Sequence, residues 1–439
     1  MKKKLFIQTF GCQMNEYDSK KIAAILSGDY VPTDTIKDAD LVFINTCSVR
    51  EKARLKLYSV LGSLKKQKKV NPQLRIGVGG CVAQQDGEDI IRNAPHVDFV
   101  VGTHNLSFIP ALLKNLDNGL GKQVAVDFRD EWEDLPLGYE IKDGVTAFVS
   151  ISRGCDKNCS FCIVPKTRGP EVSRPLDEII RECKLLLMKG VKEITLLGQT
   201  VNSWGKDLQP KKRFLHLLEE ILKLGSDFRL RFTSPHPQEM RSDLLDFIGS
   251  APQLGRHLHL PLQSGSDRVL KRMNRNYKVR RYLEIIEEAK SKINNLSITT
   301  DIIVGFPGES ESDFNETLKI VELVEFDSSF SFIFSPRPGT KAAEFSDQIP
   351  REVAQDRLRR LQELQRRITE KRLKRFVGEK VEVLVEGPAS KTGTSDMQGR
   401  NENNVYCVFP KSGNLKPGDF VTVFIQSQNT NTLRGEAVT

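Results

Sequence analysis

The 439-residue chain lacks the features that define several classes of protein. It has no run of eighteen apolar residues, so the sequence predicts no membrane-spanning helix. Its N-terminal apolar stretch becomes polar too soon for a secretory signal peptide. Eight cysteines are too few for a disulfide scaffold in a chain of this length. Together these absences predict a cytoplasmic protein.

The composition is that of a globular protein with a basic surface. Hydrophobic residues make up 38% of the chain and charged residues 28%, and the length suits two or three domains. The formal net charge is +9 and the isoelectric point is near 9.0. Such a balance permits a polyanionic partner, although a basic surface without a specific role is the alternative.

The first hundred residues alternate between strand and helix patterns. The buried runs KLFIQTF, ADLVFINT, LRIGVGG and VDFVVG predict strands, and helical periodicity lies between them. Strands that alternate with helices indicate a parallel sheet covered on both faces.

Three separated cysteines share one position in this pattern. Cys12, Cys47 and Cys81 each follow a predicted strand, 35 and 34 residues apart. Ligand sites in parallel sheets lie at the carboxyl ends of the strands, so the three predict a joint metal site. The alternative is three unrelated buried cysteines, which are common in protein cores.

After the N-terminal domain, the sequence predicts a linker, a partial (βα) barrel domain that ends in a basic helix, and a small all-β barrel. The acidic stretch 127–144 reads as a linker after an α/β domain at 1–126. Six predicted strands then indicate a partial (βα)₆ barrel in a domain at 145–375. That domain ends in a helix over 351–375 with ten basic and four acidic residues, either a solvated face or an RNA contact. Short strands between turns over 376–439 predict a small all-β barrel.

The most specific motif is RGCDKNCSFC, which places Cys155, Cys159 and Cys162 in a C-x₃-C-x₂-C spacing. A zinc site needs a fourth ligand, and His216 lies far along the chain. Thioredoxin-like chemistry would leave Cys155 unexplained. A [4Fe–4S] cubane held by three thiolates has one iron free for another ligand.

This motif, with Phe161 directly before its last cysteine, resembles that of radical S-adenosylmethionine (SAM) enzymes. The resemblance implies that SAM occupies the fourth iron and is cleaved to a radical that abstracts hydrogen from a C–H bond. Polar and glycine residues after the later barrel strands are weaker predictions for the SAM site. The predicted cofactor-binding residues are Phe161, Gln199, Asn202, Gln263, Ser264, Asp301 and Gly305.

Over its whole length, the chain resembles the methylthiotransferases among these enzymes. The segments that carry the resemblance are TFGCQMNEYDS, INTCSVREKA and GGCVAQ, with a C-terminal barrel similar to the RNA-binding TRAM module. It implies a second [4Fe–4S] cluster, the auxiliary cluster, on Cys12, Cys47 and Cys81. An open iron of that cluster would hold the sulfur that is transferred.

Within that family, GCQMNEYDS and SPRPGTKAA are most similar to the MiaB-type branch. This implies methylthiolation at C2 of N6-dimethylallyl (isopentenyl) adenosine beside the anticodon of tRNA, with no residue assigned as acid or base. The implied partners are the tRNA anticodon stem-loop and a reductant such as flavodoxin or ferredoxin, and a monomer is expected. The alternatives are threonylcarbamoyl-adenosine in tRNA, a ribosomal protein, or a non-catalytic RNA-binding protein with metal clips.

Overall fold

A computed structural model describes residues 2–48, 51–129, 132, 135–137, 144–389 and 395–438. The predicted linker at 127–144 lies in large part outside the described residues. In the part of the chain described, no helix is long and apolar enough to cross a membrane.

The N-terminal region is a six-stranded parallel sheet in the order β2-β1-β3-β4-β5-β6. Its strands are β1 Lys3–Thr9, β2 Tyr30–Pro32, β3 Leu41–Thr46, β4 Arg75–Gly80, β5 Phe99–Val101 and β6 Gln123–Ala125. Its helices are α1 Gln13–Ile25, α2 Glu51–Val70, α3 Cys81–Asp86, α4 Glu88–Asn93 and α5 Ile109–Asp117. A separate apolar cluster packs on each face, which confirms the predicted doubly covered sheet.

The central region contains two three-stranded parallel sheets, in the orders β11-β10-β7 and β12-β13-β14. An isolated parallel bridge joins Leu230 of β11 to Leu254, three residues before β12 begins. The strands of these two sheets are β7 Thr146–Ser150, β10 Glu193–Leu197, β11 Arg229–Phe232, β12 His257–His259, β13 Ser297–Val304 and β14 Ser328–Ile333. A separate antiparallel pair is formed by β8 Ser152–Arg153 and β9 Val172–Ser173. The helices are α6 Val164–Arg168, α7 Leu176–Met188, α8 Phe214–Leu222, α9 Ser242–Ser250, α10 Asp267–Arg272, α11 Val279–Lys292 and α12 Glu311–Val324.

The basic helix, α13 Arg351–Leu373, packs its apolar stripe into the central core through Leu361, Leu364 and Ile368. Many of its basic side chains form ion pairs with acidic residues of this chain. The pairs are Arg357 with Glu309, Arg359 with Asp356 and Glu363, Arg360 with Glu311, Lys371 with Glu325, and Arg372 with Asp327, which also pairs with Arg375 just after the helix. Much of the helix charge is therefore balanced inside the molecule.

The C-terminal region is a closed barrel in the order β15-β16-β17-β19-β18, as predicted. Its strands are β15 Lys380–Pro388, β16 Asp396–Asn401, β17 Tyr406–Pro410, β18 Phe420–Gln428 and β19 Thr432–Ala437. A buried polar network joins it to the central region, because Arg231 donates hydrogen bonds to Glu193 and to the carbonyl oxygens of Asn401 and Glu402.

Candidate iron–sulfur and cofactor sites

Three neighbouring strands bring Cys12, Cys47 and Cys81 to one edge of the N-terminal sheet. Cys47 directly follows β3, Cys81 is the first residue of α3 directly after β4, and Cys12 lies between β1 and α1. The strand ends are in register, since Thr9 pairs with Asn45 and Thr46 with Gly80. The three thiols lie close enough together to shift one another's pKa. We call this group the strand-end triad.

The backbone before Cys12 permits this close approach. Gly11 has φ +144°, and a Cβ there would lie 2.5 Å from the Cβ of Cys47. Asn15 and Asn45, both buried, then tie α1 to the end of β3. The side-chain amide of Asn45 donates to the backbone oxygen of Asn15 at 2.9 Å, and the Asn15 amide donates to Asn45 Oδ1 at 3.1 Å. Any side chain at position 11 would therefore separate two of the thiols.

The electrostatics of the strand-end triad favour thiolates. Hydrogen bonding to Cys47 lowers the pKa of both Cys12 and Cys81 to about 6, and the nearby Arg168 guanidinium acts in the same direction. The same hydrogen bonds raise the pKa of Cys47. The thiolate is the form of cysteine that binds metals.

Cys155, Cys159 and Cys162 lie on the loop between β8 and α6, and we call them the loop triad. The Lys157 backbone amide donates to Cys155 Sγ at 3.4 Å, and Arg275 Nη1 donates to Cys159 Sγ at 3.5 Å. Burial raises the pKa of Cys155 and raises that of Cys162 to about 12. These thiols therefore release their protons to solvent when a metal binds them.

The segment that joins α10 to α11 is hydrogen-bonded to the loop that carries the loop triad. The Asn274 amide donates to the carbonyl oxygen of Asn158 at 2.6 Å. Ser160 bonds to the same segment, its backbone amide to the Met273 oxygen at 3.0 Å and its hydroxyl to the Arg272 oxygen at 2.8 Å. The loop triad is thus held by backbone contacts that need no metal.

Both triads suit an iron–sulfur cluster with one open iron, because each offers three soft thiol ligands. In the described part of the chain, no group of three or more His, Cys, Asp or Glu side chains is arranged to hold a single metal ion. A cubane instead distributes its thiolates over separate iron atoms.

Two predicted cofactor residues carry unsatisfied polar atoms. Gln199 follows β10, and Gln263 has φ +67° on the chain between β12 and α10. The Oε1 atoms of both are buried and have no hydrogen-bond partner among the described residues. Buried amide oxygens without a partner are costly, so they suit a ligand with hydrogen-bond donors, such as the ammonium or ribose hydroxyls of SAM.

The other predicted cofactor residues are engaged within the protein. Asn202 exchanges two hydrogen bonds with the backbone of His236, at 3.1 and 2.8 Å. Ser264 Oγ accepts a bond from the Ser266 amide at 3.2 Å. A Cβ on Gly305, at φ +67°, would lie 2.6 Å from Ala354 Cβ, so this glycine permits close packing of α13.

Phe161 packs edge-on against Phe306 with ring centroids 6.2 Å apart. The Asp301 carboxylate lies 3.4 Å from His259 Nε2 and is partly exposed. Phe330, paired with Asp301 across β13 and β14, is 55% exposed and contacts the His259 ring edge-on at 5.9 Å. His259 and Phe330 were not among the predicted site residues, although the alternation HLH and FSF could have indicated side chains on one sheet face.

Buried contacts fix the N-terminal sheet against the central region. Lys21 Nζ donates to Glu182 Oε1 at 2.6 Å, and both side chains are fully buried. Arg174 also pairs with Glu182 and contacts Tyr17 Oη at 3.4 Å. A buried charge is tolerated only with good partners, so these contacts specify how the two regions meet.

Comparison with known proteins agrees with this architecture. Three family models match: the Radical SAM superfamily over 149–321, Uncharacterized protein family UPF0004 over 4–102, and the TRAM domain over 374–438. The fold and the loop triad thus define a radical SAM protein with a C-terminal TRAM barrel.

Curated relatives match over the full length. The tRNA-2-methylthio-N(6)-dimethylallyladenosine synthase of Herminiimonas arsenicoxydans is 44% identical over 446 residues, covering 100% of this chain and 99% of that protein. The protein of the same name from Francisella tularensis subsp. holarctica is 44% identical over 440 residues, covering 99% of each chain. The chain belongs to the tRNA-2-methylthio-N(6)-dimethylallyladenosine synthase family.

Solved structures share the fold at low sequence identity. The radical S-adenosylmethionine methyltransferase TsrM from Kitasatospora setae, solved with cobalamin and a [4Fe–4S] cluster, has a TM-score of 0.59 at 12% identity. The match covers 78% of this chain and 77% of TsrM. The cobalamin-dependent radical enzyme OxsB has a TM-score of 0.55 at 12% identity, with coverage of 83% and 56%. These likenesses describe the fold alone.

Proposed function

We propose that this protein is a transferase that adds a methylthio group to C2 of N6-dimethylallyladenosine next to the anticodon in tRNA. The observation that carries the proposal is the presence of two three-cysteine sites, one at the ends of β1, β3 and β4 and one on the loop before α6, in a chain that matches tRNA methylthiotransferases over its full length.

Each triad would hold one [4Fe–4S] cluster: Cys12, Cys47 and Cys81 the auxiliary cluster, and Cys155, Cys159 and Cys162 the cluster that binds SAM. When bound, these groups supply reductive cleavage of SAM and a sulfur atom for transfer. The helix α6 begins two residues after Cys162 and ends at Arg168, whose charge acts on Cys12 and Cys81, and its five residues span about 7 Å.

The chain's own residues bind and shield the reactants. Gln199 and Gln263 accept hydrogen bonds from SAM, and the buried His236 is bonded through its backbone to Asn202, three residues after Gln199. Burial lowers the pKa of His236 to about 2, so it adds no positive charge beside a cationic cofactor. Phe330 and Phe332, which are 55% and 44% exposed, offer apolar surface to the modified base.

The base must leave its stack to reach the proposed site, as in other base-modifying enzymes. The C-terminal barrel supports capture of the RNA, because Lys380, Tyr406, Phe424 and Arg434 are all exposed on it. Cations bind phosphates, and exposed aromatic rings stack on unpaired bases. We further propose that the protein acts as a cytoplasmic monomer with a reductant such as flavodoxin or ferredoxin.

The test is mass analysis of tRNA nucleosides from cells that lack the gene. The proposal predicts loss of the 2-methylthio nucleoside and accumulation of N6-dimethylallyladenosine, both reversed by the wild-type gene. A normal 2-methylthio-N6-dimethylallyladenosine level would contradict it. Loss of the methylthio group from threonylcarbamoyl-adenosine or from a ribosomal protein instead would identify a different methylthiotransferase.

A further inference from the structure

Arg168 is the last residue of α6, six residues after Cys162, yet its side chain reaches the strand-end triad. Its side chain is 5% exposed. Its Nη2 lies 3.5 Å from Asn15 Oδ1, which also accepts a hydrogen bond from Cys12 Sγ at 3.4 Å, and its positive charge helps to lower the pKa of both Cys12 and Cys81. One residue of the central region is therefore part of the surroundings of the other cysteine site.

Other groups hold the Arg168 guanidinium in place. Its Nη2 donates to Asp18 Oδ2 at 2.9 Å and lies 3.5 Å from Asn15 Oδ1. Asp18 and Asn15 belong to α1, which begins directly after Cys12. Arg153 adds a second positive charge near Asp18. The site therefore contains one carboxylate and an excess of positive charge beside the thiols.

The backbone around Arg168 is fixed as well. The Thr103 hydroxyl donates to the carbonyl oxygen of Thr167 at 2.7 Å, and His104 Nε2 lies 2.8 Å from the carbonyl oxygen of Arg168. Both donors follow β5 of the N-terminal sheet. Two elements from different regions thus determine where the guanidinium lies.

A purely structural ion pair with Asp18 is the simpler interpretation. It does not account for the position of the guanidinium, which lies near Asn15 Oδ1, the acceptor for the Cys12 thiol, as well as near its carboxylate partner. Arginine has five donor hydrogens in a fixed planar arrangement, so one side chain can bond a carboxylate and a thiolate sulfur together. A buried arginine beside several anionic sulfurs would stabilise the more negative state of a cluster.

We propose that Arg168 is a positioning residue of the auxiliary cluster: it places a fixed positive charge beside Cys81 and Cys12 and raises the reduction potential of that cluster, while Asp18 opposes it. The inference rests on the proposed function, since it requires a cluster on Cys12, Cys47 and Cys81. The two residues carry opposite charges, so removing Arg168 lowers the reduction potential and neutralising Asp18 raises it.

The experiment uses the full chain carrying C155A, C159A and C162A, reconstituted anaerobically, so that only the strand-end triad can hold iron. In this background the reduction potential is measured by spectroelectrochemical titration for R168Q, R168K and D18N, with iron content and thermal unfolding alongside. The proposal predicts a lower potential in R168Q, a higher one in D18N and a nearly unchanged one in R168K. The matched control is R275Q, because Arg275 contacts Cys159 of the other triad and should leave this potential unchanged.

The outcomes distinguish failure of the two-cluster proposal from failure of the inference about Arg168. If the background protein binds no iron, the two-cluster part of the proposed function fails. If it binds iron and R168Q leaves the potential unchanged, or shifts it no more than R275Q does, the inference about Arg168 is wrong. Loss of iron in R168Q with retention in R168K and unchanged unfolding would support the positioning role. Equal loss of iron and of thermal stability in R168Q and R168K would mean that Arg168 is only a structural clamp.

Discussion

The two cysteine triads reach similar ligand sets by different routes. The loop triad lies within eight consecutive residues, and local contacts from the α10–α11 segment hold it. The strand-end triad spans 70 residues and exists only because β1, β3 and β4 are neighbours in register. The comparison teaches that a contiguous motif determines its own geometry, whereas a dispersed one depends on the whole sheet.

The thiols of the two triads also differ in the direction of their pKa shifts. Mutual hydrogen bonds lower the pKa of two thiols in the strand-end triad, while burial raises the pKa of two thiols in the loop triad. Arg168 and Asp18 face the strand-end triad, and Arg275 faces the loop triad. The two sites therefore offer different electrostatic environments to similar clusters.

The largest expected effect comes from deleting one triad at a time. Replacing Cys155, Cys159 and Cys162 by Ala should remove about half of the iron and all SAM cleavage, because each triad holds one four-iron cluster. Replacing Cys12, Cys47 and Cys81 should also remove about half of the iron yet leave reductive SAM cleavage measurable. Iron content and 5′-deoxyadenosine yield check both results, and full iron content in the second variant would refute the auxiliary site.

The next largest effect is expected on SAM affinity, when a residue of the proposed cofactor site is replaced. Q199L should weaken SAM binding by about tenfold, because it removes a buried hydrogen-bond acceptor worth about 1–2 kcal/mol. Equilibrium binding of SAM to the reconstituted protein measures this change. Iron content should not change, and an unchanged SAM affinity would remove Gln199 from the cofactor site.

RNA capture should depend on the C-terminal barrel more than on α13. K380E and R434E should each weaken tRNA binding and lower the salt slope by about one, since each removes a phosphate contact. The comparison variant is R366E, on an exposed residue of α13. Point variants are preferable to truncation, because the barrel shares the buried network of Arg231, Glu193 and Asn401 with the central region.

A result in which R366E weakens tRNA binding more than both barrel variants would assign capture to the helix instead. Unchanged affinity and salt slope in all three variants would mean that neither surface is the RNA anchor. Affinities at several salt concentrations decide between these outcomes.

The smallest effect is expected at the two remaining cysteines. Cys183 lies in α7 and Cys407 in β17, and both are buried among apolar residues. C183A and C407A should each lower the free energy of unfolding by about 1 kcal/mol through lost packing, with iron content and activity retained. Denaturant unfolding and iron analysis check this, and iron loss in either variant would show that the ligands are wrongly assigned.

The sequence predicted the parts of the molecule that short patterns determine. The sheet order was not predictable, but strands followed by cysteines at similar spacing correctly placed Cys12, Cys47 and Cys81 at one edge. The edge strands β2 and β6 were missed because each has three residues and no periodicity. Arg168 and Asp18 were missed because 150 residues separate them, and no local pattern links them.

The charge of α13 illustrates a second limit. Its sequence shows an excess of basic residues, and RNA contact was one of two interpretations. The partners of Arg357, Arg360 and Arg372 are Glu309, Glu311 and Asp327, which lie 45 to 49 residues earlier. Ion pairs of such separation follow from packing and cannot be read from periodicity.

Product analysis of a defined RNA tests the central claim most directly. Reconstituted protein is incubated anaerobically with SAM, a reductant and an anticodon stem-loop that carries N6-dimethylallyladenosine, and its nucleosides are analysed by mass spectrometry. We predict 2-methylthio-N6-dimethylallyladenosine with the wild-type protein and none with either triad replaced by Ala. An unmodified base despite SAM cleavage by the wild-type protein, or a methylthiolated base with either triad deleted, would contradict the account.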